Sequence, residues 1–488
     1  MQHPTLRRTR FLLLAGLFVS SALAQDRRRP NVLLIVSDDQ RPDTIHALGN
    51  ASIDTPNLDR LVKGGAAFTR AIAPIPHCTP SRAEIMTGAT TFQNKSSPFG
   101  KVIDAKMIYW GTTLRQGGYH TWYSGKWMND GSPKTRGGYE ETSALFSAGG
   151  AGGRDNLTYP TSHNGQTVTG YTGWTFKTDA GKAELEKGVG LTPITDRHIA
   201  DGAIALINRR SAQPFFLHVN FTAPHDPLHL PPGYEKKYDP AAMPLPPNFL
   251  TAHPFDHGNA GQRDELMLPV PRDPLAVKGE IAAYYALISH MDEQIGRILA
   301  ALEAAGQDKN TIIIFTSDHG LGLGSHGLMG KTNMYEHTIG VPLLMAGPGI
   351  PQNQRLSAQM YLRDLYPTVC ELVGLPIPKT VEGKSMVPVL QGRVAQIYPE
   401  VYGYWHRAEL PAPVPVQRMV RTERWKLIYY SNLDRYQLFD LANDPYERRD
   451  LSADPSHEET RAELRTRLEA WFKPRIELLA AAPAKRKS

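Results

Sequence analysis

Three stretches of this chain are apolar almost throughout: Asn31-Val32-Leu33-Leu34-Ile35-Val36-Ser37, Phe215-Phe216-Leu217-His218-Val219-Asn220-Phe221 and Thr311-Ile312-Ile313-Ile314-Phe315-Thr316. A strand with one wet face alternates, so runs of this kind belong in a sheet covered on both faces, the parallel sheet of an α/β protein. Residues 119–124 and 341–346 read as further strands. Helical spacing occupies 58–63, 112–116, 194–209 and 361–375 between them. The clearest helix covers 278–305, with Ile281, Tyr284, Ile288, Met291, Ile295, Ile298 and Leu302 on one stripe. A chain of 488 residues is long enough to bury such a sheet and carry a smaller appended unit.

That unit begins near residue 396, where the pattern changes to alternation. Residues 401–405, 417–421 and 425–430 read as antiparallel strands, with Thr422-Glu423-Arg424 as a tight connection, then 436–440 as another strand and 458–472 as a closing helix. The Gly-, Thr- and Asn-rich stretch 131–190 reads as long loops over one end of the sheet, and the proline-rich 227–274 as irregular surface chain. At the N-terminus, Arg7, Arg8 and Arg10 precede the apolar run 11–19 and a small-residue stretch ending Ala22-Leu23-Ala24, the pattern of a signal peptide cut before Gln25. Its apolar core of about ten residues is too short for a stable membrane anchor. The expected organisation is therefore a signal peptide over 1–24, a catalytic domain over 25–395, an antiparallel subdomain over 396–475 and a basic tail over 476–488. Export to the periplasm or beyond follows from the signal. Loss of three arginines with it lowers the net charge from +6 to +3, too little to argue for nucleic acid as a partner.

Two of the buried runs end in carboxylates: Asp38-Asp39 after the first, Ser317-Asp318-His319-Gly320 after the third. Ligands of α/β sheets bind at the carboxyl ends of strands, and three acids gathered there repel one another unless a cation joins them. An oxygen-rich set with one imidazole suits a hard ion, Ca²⁺ or Mg²⁺, better than Zn²⁺. Arg82, Lys126, His225 and Lys331 follow other strand or loop ends and could surround that ion with a pocket for a tetrahedral anion. Cys78 heads the stretch Cys78-Thr79-Pro80-Ser81-Arg82 and is one of only two cysteines; the other, Cys370, reads as a small core residue on an apolar helix face.

Cys78-Thr79-Pro80-Ser81-Arg82 resembles the signature of type I sulfatases of the alkaline phosphatase superfamily. Asp38-Asp39, Gly125-Lys126-Trp127, Pro224-His225, Ser317-Asp318-His319-Gly320, Gly330-Lys331 and Tyr335-Glu336 extend the likeness over roughly residues 31 to 455. The resemblance implies an alkaline phosphatase-like fold: a large mixed, mostly parallel sheet between helices, with the smaller antiparallel sheet behind it. It implies Ca²⁺ held by Asp38, Asp39, Asp318, His319 and residue 78, with Cys78 converted to formylglycine by a maturing enzyme. One hydroxyl of the aldehyde hydrate would attack sulfur, and the other would expel sulfate. Arg82 would orient the hydrate, while Lys126, His225 and Lys331 would hold the sulfate, with His225 or Lys331 protonating the leaving alcohol. The long polar loops and export suit sulfated polysaccharides or their oligosaccharides as substrates, with small aryl or choline sulfates as the alternative.

One position departs from the family: many relatives carry a histidine where this chain has Met128, and methionine cannot accept a proton. Asn129, Asp130 and His163 are candidates for that role, and none is assigned it. Two rival functions stay open, a phosphodiester or phosphonate monoester hydrolase with the same nucleophile, and a non-catalytic binder of sulfated glycans. Gly322-Leu323-Gly324-Ser325-His326-Gly327 fits a dinucleotide motif, but no acid follows the next strand to hold a ribose. Trp405-His406-Arg407 reads equally as a substrate contact or a solvated strand end, and His253 and His257 read as surface residues.

Overall fold

The apolar runs lie side by side at the centre of one nine-stranded sheet. The computed structural model describes residues 29–96, 102–149, 158, 162–163, 166–167, 171–209, 211–405 and 416–480, so the expected signal peptide, His406, Arg407 and the end of the basic tail lie outside the described residues. The strands are β1 (Asn31–Ser37), β2 (Gly65–Ile72), β3 (His120–Trp127), β4 (Glu141–Ala148), a small pair β5 (Ser162–His163) and β6 (Gln166–Thr167), β7 (Trp174–Lys177), β8 (Phe215–Asn220), β9 (Thr311–Ser317), β10 (Leu343–Ala346) and β11 (Gln354–Tyr361). Their order is β11-β2-β10-β9-β1-β8-β3-β4-β7, with β5 and β6 apart. β1 is parallel to both β8 and β9, pairing Ile35 with Val219 on one side and with Phe315 on the other. Every residue of β1 is buried, as its unbroken apolar run requires. β10 and β7 run antiparallel to their neighbours, which makes the sheet mixed.

Helices cover both faces: α1 (Pro56–Gly64), α5 (Thr195–Ile207) and α6 (Pro274–Ala304) on one, and α2 (Cys78–Thr87), α4 (Trp110–Gln116) and α8 (Leu365–Leu372) on the other, with short α3 (Thr91–Asn94), α7 (Glu336–Ile339) and α9 (Val387–Leu390) between. α6 starts four residues before its expected beginning because Asp273 caps it, accepting from the Leu275 and Ala276 N–H groups, and Pro274 fills the first turn. None of the described helices is long and apolar enough to cross a membrane.

The stretch 131–190, expected from its composition to be loops, is not all loop: it supplies β4 and β7 to the far edge of the sheet, where α5 packs on β4. Residues 361–364 end β11 and form a 3-10 turn, so the helix there is only α8; Cys370 is buried in its core as expected. Lys126 does not follow β3 but lies inside it. Gly125, with φ +99, sits where the register against β4 shifts by one residue at Ala144, and a Cβ there would come 2.0 Å from the Asn220 carbonyl oxygen. Only glycine fits that close approach, one residue before Lys126.

The C-terminal strands β12 (Val401–Trp405), β13 (Gln417–Arg421), β14 (Trp425–Tyr430) and β15 (Arg435–Asp440) form an antiparallel sheet in sequence order, backed by α10 (Glu458–Ala480). Its apolar face joins Ile72, Ile75, Phe92 and Tyr335 of the larger body in one core. Buried Lys426 ties the two bodies together, reaching Glu336 at 3.0 Å and Glu447 at 2.7 Å.

Candidate active site

Parallel pairing sets Ser37 of β1 opposite Ser317 of β9, so the chain that leaves each strand arrives at the same pole. Asp38-Asp39 and Asp318-His319 therefore meet, all fully buried. Asp39 takes φ +65, which bends the chain, and its N–H donates to Asp318 Oδ1 at 3.1 Å. From α6, Tyr284 braces the bend by donating to the Asp39 carbonyl at 2.5 Å. Cys78 is the first residue of α2 and Arg82 lies four residues on, so both share one face of the helix. β3 delivers Lys126. The loop after β8 delivers His225; Asp196 of α5 holds it by accepting from Thr222 N–H, Thr222 Oγ1 and Ala223 N–H at 2.8–3.0 Å.

All the residues expected from the sequence come together here. Arg82 spreads its fork over Asp318 Oδ2 (3.0 Å), Asn220 Oδ1 (2.7 Å), the Ser37 carbonyl (3.2 Å) and Asp38 Oδ1 (3.3 Å). Lys126 Nζ donates to Asp38 Oδ2 at 2.5 Å. Lys331 Nζ donates to both oxygens of Asp39 at 2.9 and 2.8 Å, to His225 Nε2 at 3.2 Å, and stands 3.5 Å from Cys78 Sγ. His319 Nε2 is 3.3 Å from the same sulfur. Three carboxylates thus face three obligate cations, Arg82, Lys126 and Lys331.

These contacts decide the protonation states. Burial raises the pKa of Asp38, but Lys126 in particular, with Arg82 and Lys331, outweighs it and holds the carboxyl well below the usual range. Burial pushes the Cys78 thiol well above its usual range despite Lys126 and Lys331. Lys331 stays charged: burial works against it, but Asp39 and Asp264 raise its pKa well above the usual value. Burial and then Lys331 keep His225 neutral. Since the Asp226 carbonyl can only accept, His225 Nδ1, 2.6 Å away, carries the proton and Nε2 is an acceptor.

The donor set fits a hard divalent cation. Ligand atoms of Asp39, Cys78 and His319, and of Asp38, Cys78 and Asp318, each lie within 4.8 Å of one another. His319 Nδ1 is engaged by the Gly320 carbonyl at 3.0 Å, which orients Nε2 inwards. Above Cys78 opens a cavity of about 580 Å³, walled by Lys126, Met128, Tyr171, Trp174, His225 and the loop Gly258 to Asp264.

Several residues were not legible as functional. Tyr171 donates to Asp38 Oδ2 at 2.5 Å, Asn220 receives the Arg82 fork, and Asn259 and Arg263 wall the cavity. The only signal for Asn220 was a polar residue at the end of a buried strand. Of the candidates for the missing histidine, Asn129 donates to the Thr79 carbonyl at 3.2 Å and Asp130 pairs with Arg136 at 3.0 Å; His163 belongs to β5. His257 is buried, not on the surface, because its loop folds beneath β13, where Gln417 Nε2 donates to its carbonyl at 3.1 Å; His253 is half-buried against it. Trp405 is fully buried and packs on His77 at 5.5 Å between ring centres, so this residue is neither a solvated strand end nor a direct substrate contact, while His406 and Arg407 are outside the described residues. The glycines 322–327 form a tight loop whose Leu321 and Gly322 carbonyls bind Arg41 at 3.0 and 2.7 Å.

An alkaline phosphatase-like sheet with a buried carboxylate cluster and three cations at its carboxyl pole defines a hydrolase of anionic esters. The sequence model of the family described as Sulfatase matches residues 30–375, and the chain belongs to that family; it is a sulfuric ester hydrolase. A second model, described as N-sulphoglucosamine sulphohydrolase, C-terminal, matches residues 324–473. A sulfatase of Formosa agariphila is 31% identical over 410 residues, covering 79% of this chain and 78% of its own. The N-acetylglucosamine-6-O-sulfatase of Bacteroides thetaiotaomicron is 27% identical over 529 residues, covering 94% and 90%. The solved phosphonate monoester hydrolase of Agrobacterium radiobacter superposes with a TM-score of 0.72 at 22% identity, covering 92% and 96%.

Proposed function

We propose that this protein is an exported, Ca²⁺-dependent sulfatase acting on sulfated saccharides, with Cys78 converted to formylglycine. The observation that carries the reading is the place of Cys78. It lies at the bottom of the cavity, 3.5 Å from Lys331 Nζ and 3.3 Å from His319 Nε2, at the pole where Asp38, Asp39 and Asp318 meet. The saccharide substrate is supported by the likeness to an N-acetylglucosamine-6-O-sulfatase and by the open cavity.

Asp38, Asp39, Asp318 and His319 would hold Ca²⁺, which neutralises charge on a bound sulfate when present. The hydrated aldehyde supplies a hydroxyl nucleophile and a second hydroxyl through which sulfate is released. Arg82 fixes residue 78 by locking the first turns of α2 to Asp318 and Asp38. Lys126 and Lys331 converge on the space above residue 78 and bind the anion's oxygens. Lys331 Nζ, 3.5 Å from Cys78 Sγ, would protonate the leaving oxygen, and His225 Nε2, which accepts from that ammonium at 3.2 Å, would orient the ammonium. With Met128 in place of histidine, no base is assigned to sulfate release.

Two measurements test the reading. The peptide containing residue 78, from protein made alongside a maturing enzyme, should be about 18 Da lighter than its cysteine form. Turnover of defined sulfated saccharides should exceed turnover of bis-para-nitrophenyl phosphate and of a phosphonate monoester. An unmodified thiol in active protein refutes the nucleophile; preference for the phosphorus esters refutes the reaction; activity on small aryl or choline sulfates alone refutes the saccharide.

A further inference from the structure

Arg82 rides on α2 and Lys126 on β3, whereas Lys331 sits in the loop between β9 and α7, just past the backbone bonds that the Gly322, Leu323 and Gly324 N–H groups make to the carbonyls of Gly330, Met329 and Leu328. The next residue, Thr332, has φ +70, a conformation that strains a β-branched side chain and persists only where the surroundings over-determine it. Before Lys331 the loop is pinned by Glu265, which accepts from Met329 N–H at 2.9 Å and Gly330 N–H at 3.0 Å. After it, the Thr332 carbonyl accepts from Asn259 Nδ2 at 2.7 Å and from Gln417 Nε2 at 3.3 Å. Glu265, Asn259, Thr332 and Gln417 are all buried.

The orientation of Asn259 follows from chemistry. An indole N–H can only donate, and Trp405 Nε1 lies 3.1 Å from Asn259 Oδ1. A backbone carbonyl can only accept, so the amide nitrogen must face Thr332. Trp405 thus sets which end of the Asn259 amide meets the catalytic loop, and both Trp405 and Gln417 belong to the antiparallel sheet.

We infer that Asn259, its amide locked by Trp405, is a positioning residue for sulfate ester hydrolysis: it holds the Thr332 carbonyl, and through it the ammonium of Lys331 beside residue 78. The inference rests on the role given to Lys331 under the proposed function. It assigns the C-terminal subdomain a part in catalysis although its β-strands supply none of the groups placed on the sulfate.

The test compares kcat on a series of sulfate esters with good and poor leaving groups, in the parent enzyme and in Lys331→Ala. Asn259→Asp keeps the shape but sets an acceptor against the Thr332 carbonyl. It should lower kcat about 100-fold on poor leaving groups, as expected for a misplaced catalytic group, and much less on good ones. In Lys331→Ala the same change should cost no more than about twofold, since its effect passes through the missing lysine. Trp405→Phe keeps the ring against His77 and removes only the N–H; about a fivefold loss, the worth of one hydrogen bond, is expected with the same dependence on Lys331. Should Asn259→Asp fail to fold, the Trp405→Phe comparison decides alone. Equal losses across leaving groups and in both backgrounds, or an unchanged kcat, overturn the inference. Undiminished turnover by Lys331→Ala itself overturns the role of Lys331 and the inference with it, and is recognised in that single variant.

Discussion

Arg82 offers the sharpest separation of charge from geometry. Its guanidinium binds four acceptors on three strands or strand ends, two of them the buried carboxylates of Asp38 and Asp318. Arg82→Lys keeps the positive charge but gathers its donors on one atom, which cannot span a set of acceptors arranged around a planar fork. Hydrogen bonds to charged groups contribute about 1.5–3 kcal/mol each, so losing two costs about 3–6 kcal/mol. Against a total stability of about 5–15 kcal/mol that is a large fraction. Arg82→Met loses the fork and the charge, leaving three carboxylates facing two cations. It should be destabilised at least as much in chelator, yet gain more from added Ca²⁺, because the divalent ion then relieves an uncompensated negative charge. The assay is urea unfolding of each variant in chelator and in saturating Ca²⁺, with para-nitrophenyl sulfate turnover alongside. If Arg82→Lys in chelator stays within about 1 kcal/mol of the parent, or if Ca²⁺ stabilises the Met and Lys variants equally, the account of the cluster is wrong.

Cys78→Ala should abolish turnover while thermal unfolding stays within about 1 kcal/mol of the parent; substantial residual activity would place the nucleophile elsewhere. Exhaustive chelation should remove turnover and Ca²⁺ should restore it, with Mg²⁺ the weaker replacement; a fully active, metal-free preparation by elemental analysis excludes the ion from the reaction. Gly125→Ala should cost about 3 kcal/mol or more and depress kcat, because the added methyl meets the Asn220 carbonyl beside Lys126; a neutral substitution refutes that close approach. Burial, then His253, lowers the pKa of His326 to about 3, so its neutral ring adds stability that is complete above pH 6.5 and is lost as the pH falls towards 3. His326→Phe, which keeps the stack on Tyr335, should therefore gain about 2 kcal/mol on the parent between pH 7 and pH 5, read from denaturant midpoints at each pH; parallel curves reject it.

How much was legible depended on where a strand lies in the sheet. β1, β8 and β9 sit at the centre, and their apolar runs follow from burial on both faces. β7 and β11 are edge strands and β4 lies next to the edge; the outer half of β11 is largely exposed, so its polar composition hid it. β2 begins Gly-Ala-Ala, too small to show a pattern, and is defined by its neighbours instead. The acids after β1 and β9 were legible because parallel pairing forces strand ends to the same pole. The groups that orient them were not: Tyr171 reaches Asp38 across 133 residues and Asn259 reaches Thr332 across 73, and no residue-type pattern encodes such meetings. His257 was misplaced for the same reason, since a proline-rich loop reads as surface until β13 is laid over it.

The side chain of Cys78 sits at the bottom of its cavity with only 4% of the residue's surface open, and Pro80, Ser81 and Arg82 behind it are buried too. A maturing enzyme would need to bind that stretch as extended chain, and in the folded protein it is the start of a helix pinned to Asp318 through Ser81 and Arg82. Under the proposed function, residue 78 has to be converted before the sheet closes over it. Folding and maturation then compete for the same few residues, and the order in which they happen decides whether a given molecule ever becomes an enzyme. Protein that folds first would be stable, correctly shaped and inert.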